Sequence, residues 1–173
     1  MESPPINVFS ARRDPAAVVR VLREKATTVE TLEHADGDWR AVRVGFDGGA
    51  SMIVRHDPSC YAGPGWPRQV DGMIGYLLRF PNAPAKHALI RAARSLSFAV
   101  SFVGDRLDAE DRDDPRVDAA YAVCAELGGF VFVPSAFFDA QGLLLLAADG
   151  AFDERATPPA TVSDEPREGY EEL

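Results

Sequence analysis

The segment Arg55–Trp66, RHDPSCYAGPGW, gathers more chemically able side chains than any other dozen residues of the chain. His56 could act as a base or a ligand and Cys60 as a nucleophile or a ligand, while Arg55 and Asp57 supply charges of both signs. Tyr61 and Trp66 add rings with polar tips. Nucleophilic chemistry here requires a thiolate made available by a nearby base. A histidine four residues before a cysteine also supplies half of a metal site. No second ligand pair follows, so no catalytic residue and no metal ligand set is assigned. The plainer alternative is a proline-rich connector whose aromatic rings pack onto the domain surface. Because function concentrates on loops that a rigid scaffold positions, Arg55, His56, Asp57, Cys60, Tyr61 and Trp66 are the binding-site candidates.

Other spacings carry less. His34 precedes a hairpin turn and His87 falls on a short helix, and no spacing brings either to His56. The acidic run Asp105, Asp108, Glu110, Asp111, Asp113 and Asp114 lacks the alternating oxygen ligands, mid-loop glycine and closing glutamate of a calcium loop. Acidic residues near a helix start also suit the macrodipole, so the run reads as a solvated loop. Gly48-Gly49 and Gly128-Gly129 do not join a strand end to a helix start as a phosphate cradle requires. Ser135 is not in a nucleophile-elbow context. No cofactor is implied.

The elements that must position the candidates follow from periodicity. Ile6–Phe9 reads as a first strand. Asp14-Pro15 then supplies an N-cap and a proline at the first helical position, ahead of an amphipathic helix on Val18, Leu22 and Ala26. Thr28–His34, Trp39–Phe46 and Ser51–Arg55 read as strands joined by the turns Asp36-Gly37 and Asp47-Gly48-Gly49, an antiparallel meander. The three prolines and two glycines of 56–67 exclude a regular element there. Val70, Met73, Ile74 and Leu77 then mark a helix. Asn82 is placed to cap a second one from about Ala85 to Arg94, with Ala88, Leu89 and Ala92 inward.

The second half repeats this order. Leu96, Phe98, Val100 and Phe102 alternate with small residues along a strand. Asp114-Pro115 starts a helix with the stripe Val117, Ala120, Tyr121, Cys124 and Leu127, which Gly128 ends. Phe130–Val133 is a strand, and the turn Asp139–Gly142 leads into the apolar run Leu143–Ala147. The predicted fold is α+β. A mostly antiparallel sheet has its helices packed on one face, and two strand-helix-strand-strand halves, about 5–56 and 96–148, are joined by two central helices. Residues 1–152 form a single domain, and 153–173 an acidic flexible tail too poor in large apolar groups to offset its ordering entropy.

Charge narrows the partners. The net charge of −9 lies in two places. Residues 153–173 hold seven acidic and two basic residues, and 105–118 hold seven acidic and three basic ones; the rest of the chain is neutral. A phosphate-backbone binder or an anionic membrane surface would call for the opposite sign. No apolar run approaches a membrane span, and no signal pattern opens the chain. Two distant cysteines, Cys60 and Cys124, make no disulfide framework, which points to a reducing cytoplasm. The Ala/Arg-rich, Lys-poor composition suggests a GC-rich bacterial source.

The order of elements, ending in GGFVFVP and FFDAQGLLLL, resembles small bacterial families of unknown function. That resemblance covers residues 5–148 and brings no catalytic residues with it. Paired strand–helix–multistrand units also look like the vicinal-oxygen-chelate and effector-binding folds, which bind metals or small molecules between halves, although the His/Glu pattern of the former is missing. The expectation is a non-enzymatic module that binds a protein partner or assembles as a homo-oligomer through a loop exposing Tyr61 and Trp66. The alternative is a small-molecule or metal-binding domain, with hydrolytic chemistry in reach, centred on His56 and Cys60.

Overall fold

Asp14-Pro15 and Asp114-Pro115 each start a helix in the computed structural model, which describes residues 3–159. The chain runs β1 (Ile6–Ser10), α1 (Pro15–Lys25), β2 (Thr28–Ala35), β3 (Asp38–Gly45), β4 (Ser51–Arg55), α2 (Gly65–Leu78), α3 (Pro84–Arg94), β5 (Phe98–Val103), α4 (Pro115–Leu127), β6 (Phe130–Val133), β7 (Ala136–Phe138) and β8 (Leu144–Ala147). At the start of α1 the Asp14 carboxylate accepts the Ala17 N–H at 3.0 Å, and at α4 the Asp114 carboxylate accepts the Arg116 N–H at 2.9 Å. Both caps satisfy donors that a helix start leaves open. Gly128 closes α4 in the left-handed region, at φ 64°.

All eight strands join one antiparallel sheet in the order β2-β3-β4-β5-β1-β6-β7-β8. Asp36 and Gly37, at φ 52° and 78°, make the β2–β3 turn with both central residues left-handed, as a twisted hairpin favours. The fold is thus the expected α+β arrangement. The repeated element order is not a repeated topology, however. In the meander β2–β4 the last strand lies innermost, whereas in β6–β8 the first strand does.

The helices do not all pack on one face, as the sequence had suggested. Ile6, Val8, Val42, Val54, Val100 and Phe102 form one core with α1 and α4. Phe130, Phe137, Leu145 and Leu146 form a second core with α2 and α3. The reason lies in the strands themselves. In β6, Phe130 and Phe132 alternate with Val131 and Val133, so both faces carry large apolar side chains and each needs a cover. Pairing of α2 and α3 with the β1–β6–β7–β8 half leaves the same face of β2–β5 without a helix. A single cross-strand row shows the change. It reads Glu33, Ala41, Arg55, Ser101, Asn7, Phe132, Phe137, Leu146, polar and charged at one end and aromatic beneath α2 and α3.

Three local expectations are also corrected. Helix α2 starts at Gly65, inside the stretch whose prolines argued against regular structure, because Pro67 falls in the first turn, where its missing N–H costs nothing. Asn82 does not cap α3. Pro84 opens that helix and Ala83 precedes it in an extended conformation without a side-chain cap. Its inward face includes Lys86, whose ammonium donates to the Phe80 carbonyl at 2.6 Å and the Leu78 carbonyl at 3.3 Å, closing the end of α2. The three-residue strand β7 was not legible, being set off only by the left-handed Ser135 (φ 68°) and the Asp139 turn.

The expected tail begins at Asp153. Its first residues are tied to the sheet: the Asp153 N–H donates to the Leu144 carbonyl at 2.8 Å, and the Thr157 N–H to the Asp139 carboxylate at 2.8 Å. Residues 160–173 of that tail lie outside the described residues. Among the described residues no helix is long and apolar enough to cross a membrane.

Candidate functional site

The candidate segment leaves the sheet at the end of β4 and returns to it through its aromatic side chains. The His56 N–H donates to the Arg40 carbonyl at 3.1 Å, extending β3–β4 pairing by one residue. Asp57 then turns the chain, accepting both the Ser59 N–H at 3.1 Å and the Ser59 hydroxyl at 2.7 Å. A short 3-10 turn, Cys60–Ala62, carries Tyr61 back over the strand ends, and α2 begins three residues later.

All six candidates line one cavity of about 330 Å³ at the start of α2: Arg55, His56, Asp57, Cys60, Tyr61 and Trp66. Strand residues remote in sequence complete it, with Glu33, Arg40, Ala41, Ala99 and Ser101 on the sheet side and Gln69 from the second turn of α2. Sequence reasoning missed these. Membership depends on register, because Ala41 stands opposite Arg55 and Arg55 opposite Ser101. The imperfect alternation of β2 was the one available signal. It marks irregular pairing at Thr31–His34, which sets Glu33 across from Ala41.

Trp66 is not the exposed anchor of the sequence-based expectation. It is 8% exposed, donates its indole N–H to the Leu96 carbonyl at 3.0 Å, and meets the Tyr61 ring edge-on at 4.9 Å between centroids. Tyr61 is half-buried beneath the Arg13 guanidinium, which lies 5.0 Å from its ring centre. These rings contribute to both cores. They build the wall of the cavity and hold the segment in place, so of the two rings expected to be exposed Trp66 is buried and Tyr61 half-buried.

His56 is buried among Trp39, Phe98 and Tyr61, with centroid distances of 4.3, 5.3 and 6.2 Å. Its Nδ1 lies 3.4 Å from the Tyr61 hydroxyl. Its Nε2 has no hydrogen-bond partner among the described residues, the Asp38 carboxylate standing 3.9 Å away. Burial pushes the imidazole below its ordinary pKa and outweighs the Asp38 carboxylate, so the neutral ring is favoured. Burial, aided by Asp57, pushes the Cys60 thiol up, and burial does the same to the Tyr61 phenol. No hydrogen bond joins His56 to Cys60 among the described residues. A protonated thiol without a base is a poor nucleophile, so the segment does not assemble the dyad that hydrolysis would use. Among the described residues no three His, Cys, Asp or Glu side chains are grouped to hold a metal ion. His34 and His87 are exposed, each on its own element.

Arg55 stands apart from the other charges. Asp57 is engaged by Ser59 and Arg40 lies 4.0 Å from Glu33, whereas Arg55 has neither an ion pair nor a side-chain hydrogen bond among the described residues. The acidic run 105–114 has a structural explanation. Leu107 and Ala109 are buried, and the Tyr121 hydroxyl donates to the Ala109 carbonyl at 3.0 Å, folding the loop against α4.

No protein-family model matches this chain, and neither the curated proteins nor the solved structures contain a match to it.

Proposed function

We propose that this chain is a small-molecule-binding domain without chemistry of its own, its ligand held between the start of α2 and the uncovered face of β3–β4–β5. One observation carries the reading. Six polar and aromatic side chains from a single twelve-residue segment converge with Arg40, Ser101 and Gln69 on one cavity. Its volume of about 330 Å³ falls at the small end of the range for ligand sites, and a lining more polar than apolar, with charges of both signs, suits a polar ligand. The anchoring of Tyr61 and Trp66 supports a preformed site, since a wall already fixed by hydrogen bonds loses little freedom on binding. The free thiols of Cys60 and Cys124 fit a reducing cytoplasm as its setting.

A fragment screen followed by amide chemical-shift mapping tests the reading. Binders should shift Arg55, His56, Gln69 and Ser101 together and saturably. A screen in which no fragment shifts that group would remove the proposal.

A further inference from the structure

We infer that a second cavity, on the opposite face of the sheet from Arg55, binds a small hydrophobic amine, its ammonium held by Asp108 and Glu110 and its apolar body lying on Ala136 and Ala147. This site shares no lining residue with the one proposed above and stands independently of it.

Its floor follows from register. On the face that carries α1 and α4, Val133, Ala136 and Ala147 stand in one cross-strand row, and Phe138 and Leu144 pair in the next. Two alanines thus sit among larger apolar side chains, and the sheet surface dips where they fall. Helix α4 packs on β1 and β6. Cover over β7 and β8 comes instead from the loop after β5, whose Leu107 and Ala109 are buried in the same core as Phe138. Between that loop and the alanines lies a cavity of about 370 Å³, its lining more apolar than polar, within the range of small-molecule sites.

The loop also sets the charge. In Leu107-Asp108-Ala109-Glu110 the apolar residues are buried and the acidic ones exposed, so two carboxylates stand at the mouth. No cation lines the cavity among the described residues, and neither carboxylate has an ion pair there. Asp108 accepts only the Glu110 N–H, at 2.9 Å. The neighbouring guanidiniums are engaged elsewhere. Arg112 lies 3.5 Å from Asp118 and over the Tyr121 ring, and Arg116 pairs with Asp114 at 2.7 Å. Arg106 lines a different hollow, beside Gly49 and Ser51. A cleft lined by one sign of charge concentrates ligands of the other.

These two features together select the ligand. An anion would face both carboxylates. A bare metal ion would lack ligands, since no third acidic, histidine or cysteine side chain joins the pair among the described residues. A primary amine has three donors to divide between the carboxylates, while a compact alkyl or aryl body displaces water from the alanine floor.

Titrations of the full chain with benzylamine, benzyl alcohol and benzoate, one body with three headgroups, read by amide shifts, test this. Benzylamine should shift Leu107–Glu110, Ala136 and Ala147 saturably, and bind less tightly as salt rises. Benzyl alcohol should bind more weakly, and benzoate should give no saturable shift there. Asp108→Asn combined with Glu110→Gln keeps the acceptor for the Glu110 N–H and removes both charges. It should weaken benzylamine about threefold or more, the size of two exposed charge contacts, and leave benzyl alcohol unchanged. Ala136→Val fills the floor with a residue that strands favour and should abolish binding of both. Thermal unfolding of each variant checks that the fold is intact. The inference is overturned if benzylamine gives no saturable shift at these residues, or if benzyl alcohol or benzoate binds there as tightly. It is equally overturned if the folded charge variant or a folded Ala136→Val binds benzylamine as the parent does.

Discussion

The Tyr61 hydroxyl meets both backbone polar groups of Ala99, accepting from its N–H at 3.4 Å and donating to its carbonyl at 3.2 Å. Ala99 lies beyond the last β4–β5 pair, Arg55 with Ser101, so the strand that would have satisfied those groups has already ended. A side chain from the departing segment takes the place of the missing strand. The loop that carries the candidate site is thereby joined to the middle of the sheet.

Tyr61→Phe should therefore lower stability by about 1–2 kcal/mol, the range for a part-buried hydrogen bond whose backbone partners are left open. The ring would keep its contact with Trp66, so the loss isolates the hydroxyl. Urea denaturation measures it. A variant as stable as the parent would show that water serves Ala99 equally well.

His56 makes stability depend on pH in the acid range. Its folded pKa lies below the ordinary 6.5 because burial penalises the charged ring. Above 6.5 neither the folded nor the unfolded state binds the proton, and the contribution is complete. As pH falls through 6.5 the unfolded chain takes up the proton first, so stability declines until the folded pKa is passed. Urea midpoints between about pH 5 and 7.5 should thus drop toward acid, and His56→Gln should flatten that part of the curve. An equally steep curve in the variant would assign the effect to other groups.

What was legible in the sequence followed from local chemistry. Asp14-Pro15, Asp114-Pro115, Asp36-Gly37 and Gly128 each act on a backbone a few residues away, and each does in the structure what its residue type dictates. The six site candidates were legible for the same reason, lying together in the chain. Their partners were not. Arg40 and Ser101 reach the cavity through strand register, and register is fixed by long-range pairing between β3, β4 and β5. The second cover of the sheet was hidden likewise. Phe132 and Val133 look alike as apolar neighbours until the pleat sends them to opposite cores. The exposure of Trp66 was misjudged because composition marks a loop without showing what it folds against.

Asp139 has a larger structural share than its place in a turn suggested. Its buried carboxylate accepts the N–H groups of Gln141 and Leu143, both at 2.9 Å, and of Thr157 at 2.8 Å. One side chain thus closes the β7–β8 turn and fastens the segment that follows β8. Asp139→Ala leaves three donors to find other partners and should cost about 2–4 kcal/mol. Asp139→Asn keeps an acceptor oxygen and should cost less. Thermal unfolding of the two variants gives the comparison, and equal losses would mean that the second carboxylate oxygen, facing Thr157, is as important as the first.

Adjacent glycines at the end of α4 answer to different constraints, and substitution can separate them. Gly128 needs its left-handed φ of 64° and has open space where a Cβ would stand, so Gly128→Ala meets only the backbone cost, about 1–2 kcal/mol. Gly129 has no such φ, but a Cβ there would overlap the Phe9 carbonyl. Phe9 belongs to β1, which pairs with β6 through Phe9 and Phe130 and with β5 through Phe9 and Ala99. The strand at the centre of the sheet would have to move, and a backbone clash relaxes less readily than a side-chain one, so Gly129→Ala should cost about 3 kcal/mol or more. Gly128→Asn provides the control, because asparagine tolerates the left-handed region and should recover part of the Gly128→Ala loss. Equilibrium denaturation of the three variants orders them. If Gly129→Ala proves milder than Gly128→Ala, β1 yields more easily than its place between β5 and β6 implies.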